Sequence, residues 1–186
     1  SYVDAGVPFV TVKNLTASRA IDFTDLNYIT TRDHAEFFKR ADPKPGDVLV
    51  TKDGTLGVSR LVQPWHPQFS IFVSVALLRP IAARLRPQML HNFFASGAYE
   101  KQLGGLSAGS GLKHIHLEHF RRFQIPLPSI SEQDQIAAIA VSSDERLATE
   151  ELRLANFRQQ KHGLMHDLLT GRVRVPVAAA SEGGSA

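Results

Sequence analysis

Nine polar residues in this chain are of the types that hold nucleic acid: Lys13, Asn14, Arg19, Lys52, Thr55, Arg60, Ser107, Ser110 and Lys113. Lys and Arg neutralise phosphates, and Arg, Asn, Ser and Thr hydrogen-bond base edges. Lys13-Asn14 leaves the apolar run Pro8–Val12, and Lys52, Thr55 and Arg60 flank the turns at Gly54 and Gly57. Ser107, Ser110 and Lys113 lie on or beside the loop Gly104–Gly111, whose glycines let a backbone approach a phosphate closely. Taken singly, each position is explained equally well by a turn or a solvated surface.

His114, His116 and His119, with Glu118, form a second candidate group. Three imidazoles could hold a metal ion and make the chain a small metal-dependent hydrolase. The segment turns from loop to helix at this point, and positions i and i+2 share a face on a strand but not on a helix. Convergence of the three rings is therefore not expected, and we assign no metal. His162 and His166 are four apart on a helix, but Gly163 stands where a metalloprotease motif needs Glu. The chain shows no nucleophile elbow, phosphate-binding Gly-rich loop or dinucleotide fingerprint, and we assign no catalytic residue and no cofactor.

The elements that must position these residues change character part-way along the chain. Pro8–Val12 and Val48–Lys52 are β-branched runs that predict strands. Ile71–Leu78 is almost continuously apolar and predicts one long central strand. Pro43–Asp47 and Asp53-Gly54 predict turns, and His34–Lys39 and Pro87–Ser96 predict short helices, the second with Leu90, Phe93 and Phe94 on one side. Ser129 and Glu132 fit a capping box after Pro128. From Ser131 to Leu169 there is no Pro and no loop signal except Gly163, which predicts a single helix about 58 Å long. Ile136, Ala140, Leu147, Leu154, Phe157, Leu164 and Leu168 occupy heptad a and d positions along it, interrupted by Ser143, Glu150 and Lys161. That stripe either pairs with another helix or folds back on its own domain. Gly171 fits the residue just past the helix end, and Ala178–Ala186 reads as a disordered tail.

The chain has 186 residues, a net charge of +3 and no cysteine. Disulfides and thiolate metal sites are excluded, which fits a cytoplasmic protein. No apolar run is long enough for a transmembrane helix. Because Ser1 stands where a Met is expected and a strand-like pattern follows almost at once, we expect an upstream segment. The expected architecture is α+β: a mixed, β-rich domain over residues 1–128, a long helix over 129–171, and a tail over 172–186.

Four segments, in order, resemble the specificity subunit of type I restriction–modification systems. They are Pro8–Leu15, Pro45–Gly57, Ser110–Ile115 running on to Ile125–Pro128, and the helical stretch from Glu132-Gln133, Ile136-Ala137 and Asp144 to Leu168–Val175. The resemblance covers about residues 5–177 and is similar to half of such a subunit. It implies one target-recognition domain reading half of an interrupted double-stranded DNA site, and a conserved helix acting as a coiled-coil spacer. It further implies, as partners, the DNA methyltransferase (modification) subunits that carry S-adenosylmethionine, a restriction subunit, and a second recognition half in the same subunit or a second copy. The nine loop residues then read as DNA contacts, and the heptad stripe as the partner interface. A protein-binding coiled-coil adaptor is the remaining alternative.

Overall fold

The computed structural model describes residues 2–106 and 113–175. Ser107, Ser110 and the tail beyond Val175 lie outside the described residues. Two sheets and a set of short helices precede one long helix. Strands β1 (Tyr2–Val3), β2 (Val7–Val10), β3 (Asn27–Ile29) and β6 (Ser70–Ile71) form a four-stranded sheet in the order β1-β3-β2-β6. Strands β4 (Val48–Thr51), β5 (Ser59–Leu61) and β7 (Val75–Leu78) form an antiparallel sheet in the order β5-β4-β7. The helices are α1 (Val12–Thr16), α2 (Thr31–Phe38), α3 (Pro87–Phe94), α4 (Gly97–Leu106), α5 (Leu117–Phe120) and α6 (Ile130–Leu169).

Strand β4 explains its own composition. Leu49 faces a core built with Val10, Leu15, Phe69 and Val75, while Val48 and Val50 face a second core with Leu90, Phe93, Phe94 and Ile115. Successive strand residues point to opposite faces, so a strand covered on both sides must be apolar throughout. Ahead of it, Gly46 turns the chain at a φ of 90°, and Asp47, 1% exposed, accepts from the Lys44 amide at 2.7 Å. Arg79 donates to both Asp47 carboxylate oxygens at 2.7 and 2.8 Å, and this charge-assisted pairing satisfies the buried group.

Three expectations require correction. The run Pro8–Val12 is not one strand: β2 ends at Val10, Thr11 caps α1, and Lys13-Asn14 lie inside that helix. Ile71–Leu78 is not one strand either. Phe72 and Val73 are exposed and turn the chain out of the first sheet, and β7 then joins the second. Gly104 and Gly105 belong to α4, whose Tyr99 packs against Phe93 and Phe94, and packing overrides the poor helix propensity of glycine.

The long helix forms as expected. Ser129 and Glu132 make the capping box: Glu132 Oε2 accepts from the Ser129 amide at 2.8 Å, and the Glu132 amide donates to Ser129 Oγ at 3.3 Å. Forty residues of α6 correspond to about 60 Å of helix. It stops at Gly171, whose φ is 71°, with the Gly171 amide donating to Leu168 O at 3.2 Å. The first compact unit ends at Ala140, inside α6, and the second begins at Val141. Among the described residues no helix is long and apolar enough to cross a membrane.

Candidate nucleic-acid interface

The hairpin between β4 and β5 presents the best-built loop of the first unit. Its backbone is held on two sides at Lys52: the Lys52 amide donates to Ser74 O at 2.9 Å, and Lys52 O accepts from the Ile115 amide at 2.8 Å. The Gly54 amide donates to Lys113 O at 3.2 Å, so the segment beginning at Lys113 runs alongside the loop. Thr51 Oγ1 accepts from the Val58 amide at 3.0 Å and closes the base. Gly57 has a φ of 80°, and the Tyr99 ring fills the space where a Cβ would stand, so any other residue there meets both backbone strain and a clash. Burial pushes the Tyr99 hydroxyl up to about 12, and it finds no hydrogen-bond partner. The result is a rigid loop whose tip, Gly54-Thr55, stands exposed beside exposed Lys113.

The sequence-predicted residues fall into three classes. Thr55 and Lys113 are exposed on this loop pair. Arg19 and Arg60 form a second cationic patch. Burial, and then the charge of Arg19, lower the pKa of Arg60. Its guanidinium is partly committed, however, because Nε donates to Ser18 O at 3.0 Å and Nη1 to Ser59 O at 2.6 Å. Lys13 is exposed and pairs with Asp25.

Asn14 and Lys52 belong to the third class, and both differ from the expected contacts. Asn14 is 2% exposed; its Nδ2 donates to Asp22 O at 3.1 Å and Asp25 O at 2.8 Å, while Oδ1 accepts from the Thr11 amide at 2.9 Å. Every polar atom of its side chain is used in shaping the loop that follows α1, which leaves none for a base edge. Lys52 is 8% exposed, with its ammonium 3.7 Å from the Asp53 carboxylate. Burial works to raise the Asp53 carboxyl, but hydrogen bonds from His114 and Ser74 and the Lys52 charge outweigh it and hold the group below the usual carboxylate range.

The histidines converge, contrary to expectation. The His114 and His116 rings lie 4.4 Å apart and the His116 and His119 rings 5.4 Å apart, each pair edge to face. His114 Nδ1 is bonded to Asp53, His119 Nε2 is 3.9 Å from Glu118, and His119 Nδ1 is buried without a partner. Among the described residues no group of three or more His, Asp or Glu is placed to hold a metal ion. The metal-dependent hydrolase alternative is therefore not favoured among the described residues.

Along α6 the heptad residues are uncovered. Ile136, Leu147, Leu154, Phe157 and Leu164 are between 40% and 66% exposed, and Ala140 and Leu168 are half-buried. The burial of one residue escaped the sequence reading. Gln133, fully buried at the start of α6, is not on the heptad stripe. Its sequence signals are its place directly after the capping box and its part in the Glu132-Gln133 segment that carries the family resemblance.

The match to known proteins spans both parts of the chain. The model of the type I restriction modification DNA specificity domain matches residues 2–156. The chain belongs to that family. It is 25% identical over 178 residues to the putative type I restriction enzyme MjaX specificity subunit of Methanocaldococcus jannaschii, covering 89% of this chain and 39% of that protein. It is 31% identical over 81 residues to the MjaVIII specificity subunit of the same organism, covering 44% of this chain and 19% of that one. Among solved structures, the HsdS subunit of Thermoanaerobacter tengcongensis superposes with a TM-score of 0.61 at 17% identity, over 98% of this chain and 46% of that one. A chain from a structure of type I R-M complex assembly and conformational transition gives 0.62 at 19%, with the same coverage. The chain therefore spans less than half the length of these relatives, and the likeness to the solved structures is one of fold: an α+β domain followed by a long helix.

Proposed function

We propose that this chain recognises one half of a bipartite double-stranded DNA site as the specificity component of a type I restriction–modification assembly. The carrying observation is that a single family match runs from the first strand through most of α6, so the head and the helix belong to one device. The head supplies the contacts: Thr55 and Lys113 at the rigid loop, Arg19 and Arg60 at the second patch, and Lys13 on α1. Ser107 and Ser110 stay in the proposal on their chemistry alone. The helix supplies the spacer. Its stripe pairs antiparallel with a second such helix, from the same subunit or another copy, and modification subunits carrying S-adenosylmethionine dock around it. Methyl transfer and cleavage belong to the modification and restriction subunits, acting in the cytoplasm.

Selection of bound sequences from random duplexes, with the modification subunit present, tests this reading. The expected outcome is an interrupted motif, palindromic if two copies pair and otherwise of two unlike halves. Inserting one heptad into α6 lengthens the gap by ~10 Å, or ~3 base pairs. An unchanged gap would remove the helix as the ruler, and absence of any DNA preference would leave the protein-binding adaptor. Lys113→Ala weakens binding about equally for all sequences and lowers the salt slope by about one unit. Lys52→Ala has the smaller effect, because the Lys52 charge is already paired with Asp53.

A further inference from the structure

Helix α6 begins with a connection more specific than its capping box requires. Gln133 is 0% exposed. Its Oε1 accepts from the Arg86 amide at 2.8 Å, and its Nε2 donates to Arg84 O and Pro128 O, both at 3.0 Å. Next to it, Arg86 Nε and Nη2 donate to the two Asp134 carboxylate oxygens at 2.6 and 2.8 Å. Arg86 is also the residue that opens α3, with Pro87 behind it. One turn of α6 is thus tied to a segment 47 to 49 residues earlier in the chain.

The chemistry of the tie is selective. One N–H and two C=O groups must be satisfied at once, and a primary amide offers one acceptor oxygen and two donor hydrogens. A carboxylate has no proton to give the two carbonyls. An apolar side chain would leave three partly buried backbone groups without the partners Gln133 supplies. The helix itself does not need Gln133 to start, since Ser129 and Glu132 already cap it. Apolar contacts could slide; three directional hydrogen bonds and a bidentate ion pair hold one register.

We infer that Gln133, with the Arg86–Asp134 pair, is a positioning element that locks the base of the spacer helix to the recognition domain so that the gap between DNA half-sites is read at a single value. This rests on the DNA-recognition reading above. The lock is tested apart from DNA by amide hydrogen exchange of residues 130–140 in the full chain. Its use is tested by selection from random duplexes with the modification subunit. In Gln133→Ala and in Gln133→Glu, exchange at these residues accelerates at least about tenfold. The selected half-site sequence stays the same, while the single spacer length broadens to two or more. Asp134→Ala, which leaves no buried group unsatisfied, moves both readouts in the same direction by less and serves if the Gln133 variants do not fold. Unchanged exchange would overturn the lock. Accelerated exchange with one retained spacer length would reduce it to a stabilising contact. If the wild-type chain selects no bipartite site, the DNA reading fails and the positioning role falls with it, while the exchange result still states whether the lock exists.

Discussion

Leu49 and Leu154 are the same side chain in opposite circumstances. Leu49 is 0% exposed, enclosed by Val10, Leu15, Phe69 and Val75 from both sheets and the first helix. Leu154 is 49% exposed on a helix where Leu147, Phe157 and Leu164 are uncovered as well. The first unit builds two buried apolar cores from its own residues. Along the second, large apolar side chains at heptad spacing stand exposed. One chain therefore contains a region held by its own buried cores and a helix whose apolar stripe is open to the pairing proposed above.

Crossed substitutions break this comparison most sharply. Leu49→Ala removes a fully buried side chain and destabilises the first unit by about 2–5 kcal/mol. Its thermal melt moves down by many degrees, while assembly measured by sedimentation under folding conditions is unaffected. Leu154→Asp does the reverse. Loss of about 1.5–3 kcal/mol of apolar burial weakens assembly roughly ten- to a hundredfold, and the melt of the head is unchanged. Assembly at wild-type strength in Leu154→Asp would show that the stripe is not the interface.

The smallest expected effect concerns the base of α6. Hydrogen bonds from Arg86, and then its charge, hold the Asp134 carboxyl below the usual carboxylate range. A carboxyl lowered in the folded state contributes stability above its unfolded value, near ~3.9, and loses that contribution as the pH falls through the lower folded value. The melting difference between wild type and Asp134→Asn is therefore constant from about pH 5 to 8, begins to shrink near the unfolded value and disappears only below the lower folded one. A difference that vanished already near neutrality would assign the effect to another group. The pair is exposed, so the difference is small.

What the sequence disclosed and what it hid follow from the range of the forces involved. The capping box, the length of α6, the Gly171 stop and the apolar face of α3 depend on neighbours within a turn or two, and all were legible. The strand that became β6 and β7 was not, because an apolar run does not reveal that Phe72 and Val73 leave one sheet before Val75 joins another. Asn14 read as a contact because its partners, the carbonyls of Asp22 and Asp25, come from a loop that only folding brings back. Lys52 was placed correctly beside a turn, but its burial comes from flanking segments at Ser74 and Ile115. The histidine rings meet through the pairing of Asp53 with His114 across 61 residues, which no spacing pattern contains.

The passage from β6 to β7 also governs how the head comes apart. Phe72, Val73 and Ser74 carry the chain from β6 to β7, and the passage is fastened at both ends: the Phe72 amide donates to Val10 O at 2.8 Å, the Val75 amide to Phe72 O at 2.9 Å, and Ser74 O accepts from the Lys52 amide at 2.9 Å. A strand lost from either sheet pulls directly on its neighbour in the other. The two sheets therefore share one cooperative fate: they melt in a single transition, with matching protection of Val10 and Val50 amides, and no half-open form persists with one sheet intact and a bare strand edge offered to other molecules.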